Sequence, residues 1–384
     1  MGKIARIPIT NLYTGADYTG QVRLGPQALP VNLILDTGSS ALAVNASAFQ
    51  PNPSAGDKAT NLAQLASYGE GASWTGAVVT TELAVGDGTS ALVLPAANVA
   101  VAYETTPNMF AAADGILGLA YAPLDAAYGM PEPTWPKRYT SDQVLEGTPT
   151  SLVPYMTQLN ALGVASDVFA FYALRSLSRV GHGAASDPMN GGQLIVGGGV
   201  ECTDLFTGSF QVARVVADDW YNTNLLAIRV GAGAPLMVPP RGPLGQPSNS
   251  IIDSGTNSLN LGPQLLKALL AKFEAAQRAL LQSAIFDGQS VSTSALDLAT
   301  WPDLFFTVQG DGSDVTLAVA PRNYWQLDTQ QLGTASVAIT VGADGLSILG
   351  LPLMNGYFTV FDGSADNGRG VVRFASIRLP ANTG

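Results

Sequence analysis

Apolar and polar positions along this chain change phase in short runs, and most runs are too brief for a helix. Residues 4–43 read as strand: Gln21-Val22-Arg23-Leu24 alternates with period two, and Val31-Asn32-Leu33-Ile34-Leu35 is a largely apolar run that ends at Asp36. Tyr68-Gly69-Glu70-Gly71 leads through Trp74 into Val78-Val79-Thr80-Thr81, which predicts a hairpin with a glycine-rich tip. Proline, charge and aromatics crowd residues 121–150, so a surface loop is predicted there. An amphipathic helix over 151–162, capped by Thr150 or Ser151, follows, and then strands at 168–172 and 193–198. In the second half one long helix is predicted over 263–282, because Leu265, Leu266, Leu269, Leu270, Phe273, Leu280 and Leu281 form an apolar stripe. Strands resume at 304–308, 315–319, 336–341, 357–361 and 371–374. The fold class predicted is all-β with a few short helices.

Composition narrows this picture. Of 384 residues, 47% are apolar and only 12% charged, which describes a folded chain with a large interior and not a disordered one. That length allows two lobes, each with its own core: residues 1–205 and 206–384, with a crossover near 204–214. The 42 glycines and 24 prolines between short β-branched runs agree with the mainly β reading. A net charge of −11 repels nucleic acid and anionic lipid, and no apolar run approaches the ~20 residues of a membrane span. No nucleic-acid or membrane partner is therefore expected. Cys202 is the only cysteine, so no intramolecular disulfide can form. Met1-Gly2-Lys3-Ile4 runs into Ile7-Pro8 without a secretion signal, and the expected compartment is the cytoplasm, or a secreted or periplasmic one if a leader has been removed.

The chemistry lies in a duplication. Ile34-Leu35-Asp36-Thr37-Gly38-Ser39 and Ile252-Asp253-Ser254-Gly255-Thr256 each place an aspartate at a strand end, before a hydroxyl residue, a glycine and a second hydroxyl residue. Each copy is followed later by Ile-Leu-Gly, at Ile116-Leu117-Gly118 and at Ile348-Leu349-Gly350. Two lobes contributing one carboxylate each would form a pair that cannot easily ionise twice, since like charges at short range push one pKa up. One carboxylate then deprotonates a water while its partner protonates a carbonyl or leaving amine, with no metal and no cofactor. Gly38 and Gly255 would let the main chain approach the pair, Thr37 and Ser254 can donate hydrogen bonds across the lobe junction, and Ser39 and Thr256 can hold the outer carboxylate oxygens.

Other chemistries fit less well. His182 is the only histidine and no Gly-x-Ser-x-Gly elbow exists, which argues against a serine triad. Asp218-Asp219 lacks a metal-loop pattern, and Gly197-Gly198-Gly199 lacks the lysine of a phosphate loop. A glycosidase also uses paired carboxylates, but not this duplicated context.

These residues carry a resemblance. The chain is similar to the pepsin-like aspartic proteases, most of all to bacterial members without a propeptide. The likeness runs through Asp36-Thr37-Gly38-Ser39-Ser40, Tyr68-Gly69-Glu70-Gly71, Asp114 to Tyr121, Phe206-Thr207-Gly208, Trp220, the Asp253 motif, Trp301-Pro302-Asp303-Leu304 and Tyr357 to Asp362. It implies a bilobal double β-barrel with pseudo-twofold symmetry, an interlobe cleft and a flap. Asp36 and Asp253 would be the catalytic pair sharing one proton, in a monomeric acid endopeptidase acting on peptides or unfolded protein and inhibited by pepstatin-like compounds. Tyr68, Gly69 and Glu70 would form the flap. Ile34, Ile116 and Ile348 would wall pockets that favour hydrophobic residues at the cut. The alternative is a peptide- or protein-binding member of the fold without activity. The family usually anchors its flap tyrosine with a tryptophan seven residues after the first aspartate, and here that place is Ala43. Trp74 is then either a stand-in or a surface aromatic of the hairpin. Glu70 adds a titratable group where a small hydroxyl residue is common, and is expected to sharpen a preference for low pH.

Overall fold

A computed structural model describes residues 2–239 and 248–380 of the chain, apart from the Glu70 side chain. The fold is mostly β and bilobal, with few helices. Strands β1 (Ala5–Thr10), β2 (Thr19–Leu24), β3 (Leu29–Asp36) and β4 (Leu42–Asn45) come first, and β5 (Lys58–Ser67) and β6 (Ser73–Val85) make the glycine-tipped hairpin. Next come β7 (Leu92–Thr105) and β8 (Gly115–Gly118). Alternation explains their burial: Ala5, Ile7 and Ile9 of β1 face inward while Arg6 and Pro8 face out.

These strands belong to a sheet of 15 strands that continues through β1 to strands of the second half, Tyr357–Asp362, Val371–Ile377 and Phe206–Arg214. The segment expected as a crossover is thus itself a strand, paired with Val371–Ile377. Phe169, Phe171, Tyr221 and Phe361 pack together in the core, Phe169 and Phe361 stacked with centroids 4.9 Å apart and the other contacts edge-on.

Several predicted elements are corrected. The long helix is two, Pro263–Leu270 and Ala275–Phe286. Phe273 turns into the core against Trp301, with ring centroids 6.2 Å apart, and Glu274 takes an extended conformation before the second helix starts. Burial of an aromatic outweighs helix continuity here. The helix of 151–162 shortens to Tyr155–Ala161, because Pro154 stands at its N-cap and keeps Val153 out of helical conformation. Ser151 ends a strand instead. The surface loop of 121–150 holds strands Ala126–Gly129 and Thr148–Ser151, which pair with each other, and the first also adds to β5. It also holds helix Ser141–Leu145, which a Thr140–Gln143 capping box opens. The 336–341 run breaks at Ala338, whose N–H donates to the Tyr324 carbonyl while its own carbonyl accepts from Leu259. That residue passes the chain from one small sheet to another. No helix among the described residues is long and apolar enough to cross a membrane.

Candidate active site

β3 delivers Asp36 to the cleft from a parallel pairing with β8, in the register Ile34 to Ile116, Leu35 to Leu117 and Asp36 to Gly118. The second half repeats this construction. Strand Ser250–Ile252 runs parallel to Ser347–Leu349, with Ile252 opposite Leu349, and Asp253 follows at the strand end. Both aspartates are buried, at 5% and 7% exposure.

The junction between the motifs has a twofold pattern. The Thr37 N–H donates to Ser254 Oγ at 3.0 Å, and the Ser254 N–H donates to Thr37 Oγ1 at 2.9 Å. Each hydroxyl then donates onward across the junction: Thr37 Oγ1 to the Ile252 carbonyl at 3.1 Å, Ser254 Oγ to the Leu35 carbonyl at 2.8 Å. Every donor and acceptor of this buried knot is satisfied, so it fixes the spacing of the two strand ends.

The carboxylates are held in matching fashion. Gly38 N–H donates to Asp36 Oδ1 at 2.7 Å and Gly255 N–H to Asp253 Oδ1 at 2.9 Å. Ser39 Oγ donates to Asp36 Oδ2, and Thr256 Oγ1 to Asp253 Oδ2 at 2.6 Å. A Cβ at Gly38 would stand 2.8 Å from Asp253 Oδ1, and one at Gly255 would collide with Asp36 Oδ1. Glycine is required at both places because the loop of each motif presses on the other motif's carboxylate. Asp36 and Asp253 thus face one another across the junction, each acting on the other's carboxyl. Burial drives the Asp36 carboxyl well above the usual carboxylate range, and the Asp253 charge adds to this. Burial also raises Asp253, against donation from Thr256 and Gly255. The pair therefore retains one proton where isolated carboxylates have lost theirs.

The hairpin of β5 and β6 closes over this centre. Its tip is a single turn at Gly69–Gly71, bridged by a hydrogen bond from Tyr68 N–H to the Ala72 carbonyl at 2.8 Å. Glu70 lies in that turn, and its side chain is outside the described residues. Tyr68 is half-buried, and both Ser39, which holds Asp36, and the Asp36 charge act on its phenol. Burial, with the Asp36 charge behind it, pushes the Tyr68 phenol up to about 12, so it stays a donor. Ile34, Ile116 and Tyr68 share one apolar cluster with Phe110. Ile348 is not in it: it lies half-buried opposite Ile251, on the second half's parallel pair.

Trp74 is no surface aromatic. It is 1% exposed, and its Nε1–H donates to Tyr68 Oη at 3.3 Å. Strand pairing sets it opposite Ala66, and Ala41, Ala43, Ala100 and Ala102 line the hollow that its indole fills. The alanine at 43 leaves the room that the indole at 74 occupies. Replacing Trp74 by Phe keeps a ring there and removes the donor; kcat/KM on a peptide is expected to fall roughly three- to tenfold. Unchanged kinetics would mean the hydrogen bond does not hold the flap. Trp74→Ala, which empties the hollow, is expected to cost about 3–5 kcal/mol in unfolding measurements.

Two braces join residues that the resemblance runs through without giving them a role. Trp220 Nε1–H donates to the Gly38 carbonyl at 2.8 Å, tying the second half to the first motif, and Ser40 Oγ donates to the Tyr121 carbonyl at 2.5 Å. Behind the flap, Gln64 of β5 donates to Asp125 at 2.7 Å, and both residues are buried. No group of His, Cys, Asp and Glu among the described residues has the arrangement of a metal site.

Comparison with known proteins agrees with this geometry. The model of the eukaryotic aspartyl protease family matches residues 17–376. Pepsin A of Sus scrofa is 25% identical over 374 residues, covering 92% of this chain and 80% of its own. Pepsin II-2/3 of Oryctolagus cuniculus is 24% identical over 364 residues, covering 91% and 79%. Rhizopuspepsin-5 of Rhizopus niveus is 23% identical over 285 residues, covering 71% and 61%.

Proposed function

The chain belongs to the eukaryotic aspartyl protease family, and from that premise we propose that it is an acid endopeptidase in which Asp36 and Asp253 activate one water between them. The observation that carries the reading is the matched setting of the pair: two buried carboxylates, each held by an equivalent hydroxyl and an equivalent glycine amide, with each motif's glycine pressed against the other's carboxylate. A water bound to both oxygens loses its proton to the ionised carboxylate as it attacks the peptide carbonyl. The protonated carboxyl supplies a hydrogen to the carbonyl oxygen, giving a tetrahedral diol. Collapse of the diol returns a proton to the departing amine, and the pair ends with one proton again. Water adds across the C–N bond and nothing else is consumed.

Tyr68 stands over this centre from the flap, and Ile34, Ile116 and Phe110 present an apolar wall beside it. Hydrophobic side chains flanking the cut suit that wall. Unfolded protein or flexible peptide is the natural substrate class, since the bond must reach a buried pair.

The mechanism needs one proton on the pair, so cleavage is expected on the acid side of neutrality and lost as that proton leaves with rising pH. A digest of denatured protein from acidic to neutral pH, with and without pepstatin, tests this. A rate that rises steadily past neutrality, or full activity in excess pepstatin, would overturn the reading. Tight peptide binding without cleavage at any pH would favour the binding protein instead.

A further inference from the structure

The hairpin that carries Tyr68 has a break partway along it. β5 and β6 pair at 58–59 and again over 63–67, but Ala59 stands opposite Val79 and Ala63 opposite Ala77. Thr60, Asn61 and Leu62 therefore face Val78 alone, and the main chain of β5 bulges there. A bulge between the base and the tip is a place where a hairpin bends. At ~3.3 Å per residue Tyr68 lies roughly 20 Å beyond Leu62, so a rotation of about 5° at the bulge moves it by about 2 Å. Its position over the dyad depends on what holds residues 60–62.

The arm of residues 125–151 holds them. Thr134 N–H donates to the Thr60 carbonyl at 2.9 Å, Met130 N–H to the Asn61 carbonyl at 2.7 Å, and Thr134 Oγ1 to the Leu62 carbonyl at 2.7 Å. All three carbonyls of the bulge thus accept from the arm. Strand Ala126–Gly129 continues the contact, with Gly129 opposite Leu62 and Tyr128 opposite Ala63. Two further ties reach the neighbouring strands: Ser141 Oγ shares a hydrogen bond with Thr75 Oγ1 of β6 at 2.7 Å, and the Tyr103 hydroxyl of β7 donates to the Tyr139 carbonyl at 2.7 Å. Thr134 is the centre of this grip. It is 0% exposed, whereas every other residue of 131–138 is exposed or half-buried. The one buried residue of an open segment is ordinarily apolar; here it is a threonine whose amide and hydroxyl are both engaged by the bulge.

We propose that Thr134 is a positioning residue: through it the arm clamps the flap hairpin at its bulge and sets the fraction of the enzyme in which Tyr68 stands closed over Asp36 and Asp253. This rests on the endopeptidase reading of the same cleft and adds a control on its flap. Ground state and transition state are both bound under the closed flap. Loosening the clamp lowers the closed fraction of the free enzyme, so apparent affinity falls in proportion, while the chemical step, taken with the flap closed, keeps its rate.

The test uses the full chain, one peptide with a hydrophobic cleavage pair, and the variants Thr134→Val and Ser141→Ala. Valine keeps the shape and the N–H at 134 and removes the hydroxyl donor, leaving the Leu62 carbonyl without it. KM is expected to rise about fivefold with kcat within twofold of wild type, and Ser141→Ala, which cuts the tie to β6, is expected to raise KM about twofold. A purely structural defect would instead lower the apparent kcat, through loss of folded enzyme, and leave KM alone. Hydrogen exchange read by mass spectrometry needs no substrate: residues 61–67 are expected to exchange about tenfold faster in Thr134→Val, with 304–319 unchanged. An unchanged KM in Thr134→Val, or exchange that speeds equally in both segments, overturns the proposal and leaves the endopeptidase reading intact. If wild type cuts no peptide, that reading fails, and the exchange comparison still decides the clamp. Equal exchange of 61–67 in wild type and Thr134→Val would end it.

Discussion

Replacing Asp36 by Asn is expected to reduce kcat by about a thousandfold or more, with Asp253→Asn costing as much and the double variant little further. General acid and base contributions run to roughly 10²–10⁴ each. Here one proton serves both roles, so removing either carboxyl removes the pair's ability to give and take it, and residues that act as a unit are not additive. Asparagine keeps the shape. Its Oδ1 still accepts from the Gly38 or Gly255 amide, and the reciprocal Thr37 and Ser254 bonds do not involve the carboxylates. Folding is therefore expected to survive, and the melting temperature above neutral pH to rise slightly, because a buried charge beside another has been deleted. Initial rates on one peptide, paired with thermal unfolding of the same samples, check this. A variant that retains a tenth of the wild-type rate would remove that aspartate from the mechanism.

The two glycines explain why such a centre shows so clearly in a sequence. Gly38 lies against Asp253 and Gly255 against Asp36, so each motif carries a constraint imposed by the other. Hydroxyl, glycine and hydroxyl are all dictated by contacts around one point, and that leaves a fixed local spelling twice. Strand identity was legible for the same kind of reason, since period-two burial in Ala5–Thr10 or Leu304–Val308 is a local property. What the sequence hid depends on distant partners. Phe273 breaks a helix because Trp301 waits in the core. Trp74 becomes internal only because small residues from β4 and β7 leave a hollow under the hairpin. Trp220 meets Gly38 across 182 positions of chain. No run of adjacent letters encodes these, so no local pattern could reveal them.

Raising the pH from about 4 to above 6 is expected to remove roughly 3 kcal/mol of stability through Asp125 alone. This aspartate is 4% exposed, just before strand Ala126–Gly129, and among the described residues its one side-chain donor is the Gln64 amide. Burial pushes its carboxyl up to about 6, against an ordinary value near 4, and the bond from Gln64 only partly opposes this. The sign follows from proton uptake. Between the two values the folded protein holds a proton that the unfolded chain has released, so folding is favoured at low pH and loses ground as pH rises through about 6. Two units correspond to nearly 3 kcal/mol. Asp125→Asn keeps an acceptor for Gln64 and carries no charge, so its unfolding free energy is expected to be flatter across this range and higher than wild type at neutral pH. Urea unfolding at several pH values measures the slope directly. An identical slope in the two proteins would show that Asp125 ionises without penalty, despite its burial. The location gives the effect a functional sense. Gln64 sits on β5, four residues before Tyr68, and the Asp125 charge is felt at the Tyr68 hydroxyl. The strand that carries the flap is thus held best in the acid range, where the Asp36 and Asp253 pair also keeps its working proton.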